Sequence, residues 1–328
     1  MQTDDENIAQ TSTKTDDSTA DRALMGAAAR LYYLKDMPRV EIASRLGVSR
    51  FKVARLLSRA RDEGVVTITV HDHGLPDPAL GAELKAALGL RECQVMRTHG
   101  DEENVRTQIG AAAARLLNAS LDEDEVVGLT WGRTLTATTS QLTSLPRLTV
   151  VQLTGFVSGE LTASPIEIIR HVSQQAGGAV YPIFSPLFVR DAETAESLKQ
   201  HPDISQAMRL FPEVTTAVLS VGAWNPPNTQ VREVLAPDDV ARAESLGCVA
   251  DIAGILVGAD GELIDPEFQR RTVSISHEQL QAIPRVIAVA AGREKASAVS
   301  AVVKAGLVTD LVTDHTLAEA ILDEGSHG

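Results

Sequence analysis

The chain has 328 residues, 44% hydrophobic and 23% charged, the balance of a globular protein long enough for two or three compact units. It carries a net charge of −14 and no apolar run near the roughly 20 residues that cross a bilayer, which argues against an integral membrane protein. Two cysteines, Cys93 and Cys248, lie too far apart for a disulfide framework or a Cys-x-x-Cys metal site, so the expected address is reducing and cytoplasmic.

Charge is unevenly spread. Met1 to Ala20 holds five acids, one Lys and no apolar block, which reads as a disordered acidic tail and not as a signal peptide. Residues 21–64 hold ten Lys/Arg against five acids, a net of +5, and the remainder carries −15. A small basic unit is joined to a large acidic one, and only the basic unit suits a polyanion.

In the basic segment, Leu24, Ala28, Leu31 and Leu34 repeat at helical spacing over 21–37. Pro38 suits the first turn of a second helix, Pro38–Leu46, with Val40, Ile42, Ala43 and Leu46 as its apolar positions and Gly47 as its stop. Ser49 is the expected N-cap of a third helix reaching Glu63, where Gly64 ends it. Two short helices across Leu46-Gly47-Val48-Ser49 make a helix-turn-helix whose second member is the recognition helix. Val53, Leu56, Leu57 and Ala60 form its inward stripe. Ser49, Arg50 and Lys52, near the helix start, are the expected base-facing residues; Arg55 and Arg59 suit phosphates, with Ser44 and Arg45 near the turn. Phe51 either packs on the neighbouring helix or touches a thymine methyl, and packing is the expectation. Val65–Val70 alternates with a period near two and reads as a wing-like strand. The plain alternative for the whole segment is a solvated basic helix in a small bundle.

His71 to Pro78 reads as a hinge; His71 and His73 lack a nearby third ligand and read as solvated linker residues, so no metal is expected. Beyond it, strand signals at Glu92–Met96, Val126–Thr130, Thr149–Leu153, Ala179–Ile183, Val214–Val221, Ile252–Val257, Val286–Ala290 and Leu311–Thr313 alternate with helical ones. The helical patterns cover Asn104–Leu117, Arg133–Thr143, Pro165–Gln175, Pro237–Leu246, Arg293–Ala305 and Leu317–Leu322. This alternation predicts an α/β fold, a parallel sheet with helices on both faces and ligands at the carboxyl ends of the strands.

Three turns at that edge carry glycine. Gly132, Arg133 and Thr134 offer close backbone approach, a guanidinium and a hydroxyl, a phosphate-binding helix start or else a helix cap with a surface Arg. Gly155 lies in the second turn, and Ala291-Gly292-Arg293-Glu294-Lys295 is the third. Together they point to an anionic, phosphorylated small molecule, and no Gly-x-Gly-x-x-Gly follows any strand. Asp251 either accepts sugar hydroxyls or caps a turn. Asp260-Gly261 reads as a tight turn, and Asp314 serves equally as an N-cap for the last helix.

Four blocks in order then resemble the SorC family of sugar-binding transcriptional regulators: LYYLKDMPRVEIASRLGVSRFKVARLLSRARDEGVVTITV (31–70), VVGLTWGRTL (126–135), CVADIAGILVGADGELID (248–265) and VIAVAAGREKASAVSAVVKAGLVTDLVTD (286–314). The resemblance implies a helix-turn-helix DNA-binding domain and an α/β effector domain similar to glucosamine-phosphate deaminases and ribose-phosphate isomerases. It implies operator binding as a homodimer or homotetramer, altered by a sugar or sugar phosphate. Carried over, the phosphate-facing turn matches Gly132, Arg133 and Thr134, the family's Lys matches Lys295, and its acid matches Asp251. The chain departs from the family at Gly155-Phe156, Ala250 and Ala291-Gly292, where glycines are usual. Phe156 would crowd a second phosphate, so a singly phosphorylated or unphosphorylated polyol stands beside a bisphosphate as effector.

The expected organisation is a tail (1–20), a DNA-binding domain (21–70), a linker (71–78) and an effector-binding and oligomerisation domain (79–328). The expected function is a repressor of carbohydrate-metabolism genes that binds double-stranded operator DNA and needs no cofactor. The alternative is a sugar-phosphate isomerase or deaminase with a DNA-binding head. His99, His171 and His277 stand alone in sequence and no compact Asp/Glu/His cluster is evident in the edge loops, so no catalytic residue is expected. The apolar positions of Leu80–Leu88 serve either a dimer contact or packing on the body.

Overall fold

Helix α1 covers residues 21–33, α2 Arg39–Leu46 and α3 Arg50–Asp62. These belong to a computed structural model that describes residues 21–66, 74–157 and 165–325. The chain divides into two units, one within residues 1–71 and one within 72–328. The acidic tail 1–20, His71 and His73 lie outside the described residues.

In the first unit, Gly47 takes the left-handed conformation (φ 66°) that closes α2, and its N–H donates to the carbonyls of Ala43 and Ser44. Ser49 caps α3, its hydroxyl accepting the Lys52 N–H at 3.1 Å. The buried residues of α3 are Val53, Leu56, Leu57 and Ala60, and they meet Met25, Ala28, Ala29, Ile42 and Ala43 in one apolar cluster. The first two helices are shorter than their spacing predicts. The chain reverses at Asp36 (φ 49°), which leaves Leu34 beyond α1 and 72% exposed. Pro38 is the N-cap of α2 and not its first residue, and Val40 faces solvent. Phe51 does not pack on a neighbouring helix: it is 69% exposed. Val65 and Val66 form no strand, and the rest of the expected wing, residues 67–70, lies outside the described residues.

The second unit is built on an eight-stranded sheet. Its strands in chain order are β1 (Leu75–Pro76), β2 (Glu92–Arg97), β3 (Val126–Leu129), β4 (Thr149–Gln152), β5 (Val180–Tyr181), β6 (Thr216–Ser220), β10 (Arg285–Val289) and β11 (Asp310–Asp314). Between β6 and β10 run β7 (Gly222–Ala223), β8 (Cys248–Ile252) and β9 (Ile255–Gly258), which form a separate antiparallel sheet. The large sheet is ordered β1-β2-β11-β10-β6-β3-β4-β5 and is parallel except at β1.

Alternate residues of the central strands enter different cores, as a two-residue period requires. Ala217, Leu219, Val286, Ala288 and Leu311 join one cluster with the helices Ala296–Lys304 and His315–Gly325. Val218, Ile287, Val289 and Val312 join the other, beneath helix α5 (Glu102–Ser120) and helix α6 (Arg133–Thr139). Both faces are thus covered, which is why these strands read as continuous apolar runs. Helix α4 (Pro78–Leu88) accounts for Leu80–Leu88: Leu84 is fully buried in the first cluster, with Leu80 and Leu88 packed against it.

The expected single strand Ile252–Val257 is instead a hairpin. Ala253 and Gly254 both take positive φ (53° and 80°), a two-residue turn between β8 and β9. The continuous apolar sequence conceals this turn because Ala253 stands where Asn or Gly usually advertises it. The expected tight turn at Asp260-Gly261 is present, with the Gly261 N–H donating to the Gly258 carbonyl at 3.0 Å.

Candidate functional site

A cavity of about 650 Å³ opens where the carboxyl ends of β2, β3, β4, β6, β10 and β11 release their loops, roofed by residues of the small sheet. The chain order changes direction across β3, β6 and β10, so loops diverge there and leave a crevice.

Each wall follows from a local feature. After β3, Gly132 takes φ 142°, and a Cβ there would meet Ser220 Oγ at 2.7 Å, so only glycine lets this turn sit against the end of β6. Arg133 follows as the first residue of α6; its guanidinium donates to Asn228 Oδ1 at 3.0 Å and lies 4.0 Å from Glu102. Thr134 lines the same wall and is largely buried. After β2, Glu102 and Arg106 open α5, joined at 2.5 Å. After β10, Lys295 Nζ donates to the Val221 carbonyl at 2.7 Å. Asp314, at the end of β11, accepts from the Gly292 N–H at 2.9 Å and from the Thr316 N–H at 3.2 Å, tying two walls together. From the small sheet, buried Asp251 accepts the Trp224 Nε1–H at 3.1 Å. Asn228 Nδ2 donates to Glu294 at 3.0 Å, linking that residue to the Arg133 wall.

The electrostatics follow from this burial. Lys295 is pushed down to about 8 by loss of solvent, against the pull of Asp251 and Glu294 and with help from Arg133 and Arg106. Asp251 is pushed above the ordinary carboxylate range by burial, opposed by hydrogen bonds from Thr229 and Trp224 and by the charge of Lys295. Thr154, 1% exposed, lines the cavity with its hydroxyl unpartnered among the described residues. Arg106, Arg133 and Lys295 suit an anion, while Asp251 and Thr154 suit hydroxyl groups.

Of the residues singled out from sequence, Gly132, Arg133, Thr134, Asp251 and Lys295 come together here. Gly155 does not line the cavity: its N–H donates to the Val273 carbonyl at 2.7 Å and its carbonyl accepts the Trp131 indole at 2.8 Å, so its backbone is already engaged. Phe156 is not a lining residue either and crowds nothing there. The sequence reading also missed a cluster. His99, Glu294, Asp314 and His315 join Asp251 and Lys295 around one cavity, and the pairing of β2 with β11 across more than two hundred residues is what brings His99 to it. No group of three or more His, Cys, Asp or Glu among the described residues is arranged to hold a metal.

On the first unit, Ser44, Arg45, Ser49, Arg50 and Arg55 are exposed and Lys52 is half-buried. Arg59 is engaged by Asp21 and by Glu63, the latter at 2.8 Å, two carboxylates that a phosphate would have to displace.

The sugar-binding domain family, Sugar-bind, matches residues 77–323. Over 97% of its length the chain is 28% identical to the transcriptional regulator LsrR of Enterobacter sp. (strain 638), covering 98% of that protein. It is 26% identical to the erythritol catabolism regulatory protein EryD of Brucella abortus (strain 2308), covering 93% of this chain and 98% of the relative. The full-length sorbitol operon regulator SorC from Klebsiella pneumoniae shares the fold, with a TM-score of 0.69 at 23% identity over 92% of this chain and 99% of the other. With the family match spanning the strands that build the cavity, the chain belongs to the sugar-binding domain family, and along nearly its whole length it is similar to proteins named as transcriptional regulators.

Proposed function

We propose that the chain is a cytoplasmic, homo-oligomeric repressor of carbohydrate-metabolism genes. Residues 21–70 hold double-stranded operator DNA, and 79–328 bind a small sugar or sugar phosphate that alters that hold. One observation carries the reading: a cavity at the strand ends that combines three cations with buried Asp251 and with Thr154, whose hydroxyl has no partner among the described residues, in the same chain as an exposed basic recognition helix. The cations favour a phosphate and the oxygen groups favour hydroxyls, which together describe a phosphorylated polyol or sugar. Binding acts by a difference in affinity between DNA-competent and DNA-incompetent arrangements of the oligomer. No cofactor is needed for that work. No helix among the described residues is long and apolar enough to cross a membrane.

The test is fluorescence anisotropy of the full chain on the DNA upstream of its own gene, titrated with sugars, polyols and their phosphates. A single compound should alter binding, and Arg133→Ala or Lys295→Ala should abolish the response. A response confined to unphosphorylated compounds would remove the anion assignment. The gathering of Asp251, Lys295, Asp314 and His315 favours a second reading, an isomerase or deaminase of sugar phosphates, because such chemistry needs a positioned base and acid. Turnover of pentose or hexose phosphates by the purified chain would establish it.

A further inference from the structure

Phe51 is the second residue of α3 and is 69% exposed. The buried side of that helix is Val53, Leu56, Leu57 and Ala60. At about 3.6 residues per turn, Phe51 and Arg55, four residues apart, project from the opposite side. The Arg50 guanidinium lies over the Phe51 ring, 4.9 Å from its centroid, and Lys52 follows directly. A large apolar ring is therefore held in water at the start of a helix, among three cations. No other large apolar side chain of α3 is exposed, so on this helix the ring stands alone among charged and small residues.

The charge around the ring selects a polyanion. Within a duplex major groove, the group that matches a lone apolar side chain is the C5-methyl of thymine. Resting on the DNA-binding reading of α3, we infer that Phe51 is a specificity residue that seats against a thymine methyl of the operator. Arg50, stacked on the ring, holds it at the groove and meets a base edge or phosphate beside that thymine.

The experiment selects a binding sequence for the full chain from a random duplex pool. Each thymine of that sequence is then replaced singly by deoxyuridine, which removes only the methyl. One position per half-site should weaken wild-type binding about fourfold, the worth of one buried methyl-sized group. Phe51→Ala should bind the thymine duplex about tenfold more weakly and bind thymine and deoxyuridine duplexes alike. Wild-type binding indifferent to every deoxyuridine, or Phe51→Ala binding like wild type, overturns the inference while leaving the DNA-binding reading intact. So does a change of oligomeric state in Phe51→Ala by light scattering, which would assign the ring to a contact between copies of the chain. If no sequence is selected at all, the DNA-binding reading fails and the inference with it.

Discussion

Raising the pH from 7 to 9 tests the cavity through one group. Lys295 loses its proton near 8, so about nine tenths of it is charged at pH 7 and about one tenth at pH 9. An anionic effector held by the ammonium form should therefore bind about tenfold more weakly at pH 9, about 1.4 kcal/mol. A phosphate monoester is already close to a dianion above its second pKa of about 6. Asp251 and Glu294 are the acids that act on Lys295. Stability runs the other way. The Lys295 value is depressed from 10.5, so its burial costs the fold most below about 8, and that cost is relieved as pH rises toward 10.5. A loss of binding at pH 9 is thus not unfolding through this group. Calorimetric titration of wild type and Lys295→Met with the effector between pH 7 and 9 measures the effect. The wild type should fall about tenfold, and Lys295→Met should start weaker and stay flat. A flat wild-type profile, or the same fall in Lys295→Met, would refute the assignment of charge to Lys295.

Arg106→Ala should weaken a phosphorylated effector about tenfold or more while sparing its unphosphorylated counterpart, measured by the same titration. Glu102→Gln should act oppositely, tightening the phosphorylated compound about threefold, because Glu102 lies 2.5 Å from Arg106 and 4.0 Å from Arg133 and competes for both. Trp131 lines the cavity and Trp224 donates to Asp251, so intrinsic tryptophan fluorescence should shift on effector binding; Trp224→Phe should remove part of that signal. Arg242 holds buried Asp265 below the ordinary carboxylate range, a stabilisation complete above the unfolded value near 3.8 and lost as pH falls through the depressed one. Urea unfolding from pH 7 to 3 should therefore be less acid-sensitive in Asp265→Asn. Leu219→Ala, in a fully buried position of the central strand β6, should lose about 3 kcal/mol in the same assay.

The helix-turn-helix was legible because its signals are local: a cap, a left-handed glycine and a stripe at helical spacing lie within twenty residues. All four expected core residues of α3 are buried. Phe51 escaped the same reasoning, since an aromatic residue in a periodic segment is counted as core until its angular position is compared with the stripe. The parallel sheet was legible from apolar runs separated by helices, and its loops drew attention to Gly132, Arg133 and Lys295. Arg106, Glu102 and His99 were hidden, because they join the site only through the pairing of β2 with β11, a contact between distant segments that no local pattern announces. Gly155 was misread for the reverse reason. A glycine after a strand looks available to a ligand, but the Trp131 indole and the Val273 carbonyl had already taken its backbone.

The hydrogen bonds that Asp314 accepts from Gly292 and Thr316 have a structural consequence. One carboxylate joins the turn that bears Lys295 to the first turn of the last helix, so these two walls are tied together at the end of β11. The helix His315–Gly325 in turn packs on α4, which lies against β2 at the sheet's outer edge. A continuous run of contacts thus leads from the cavity to the edge of the sheet, and one acidic side chain is the link on which it depends.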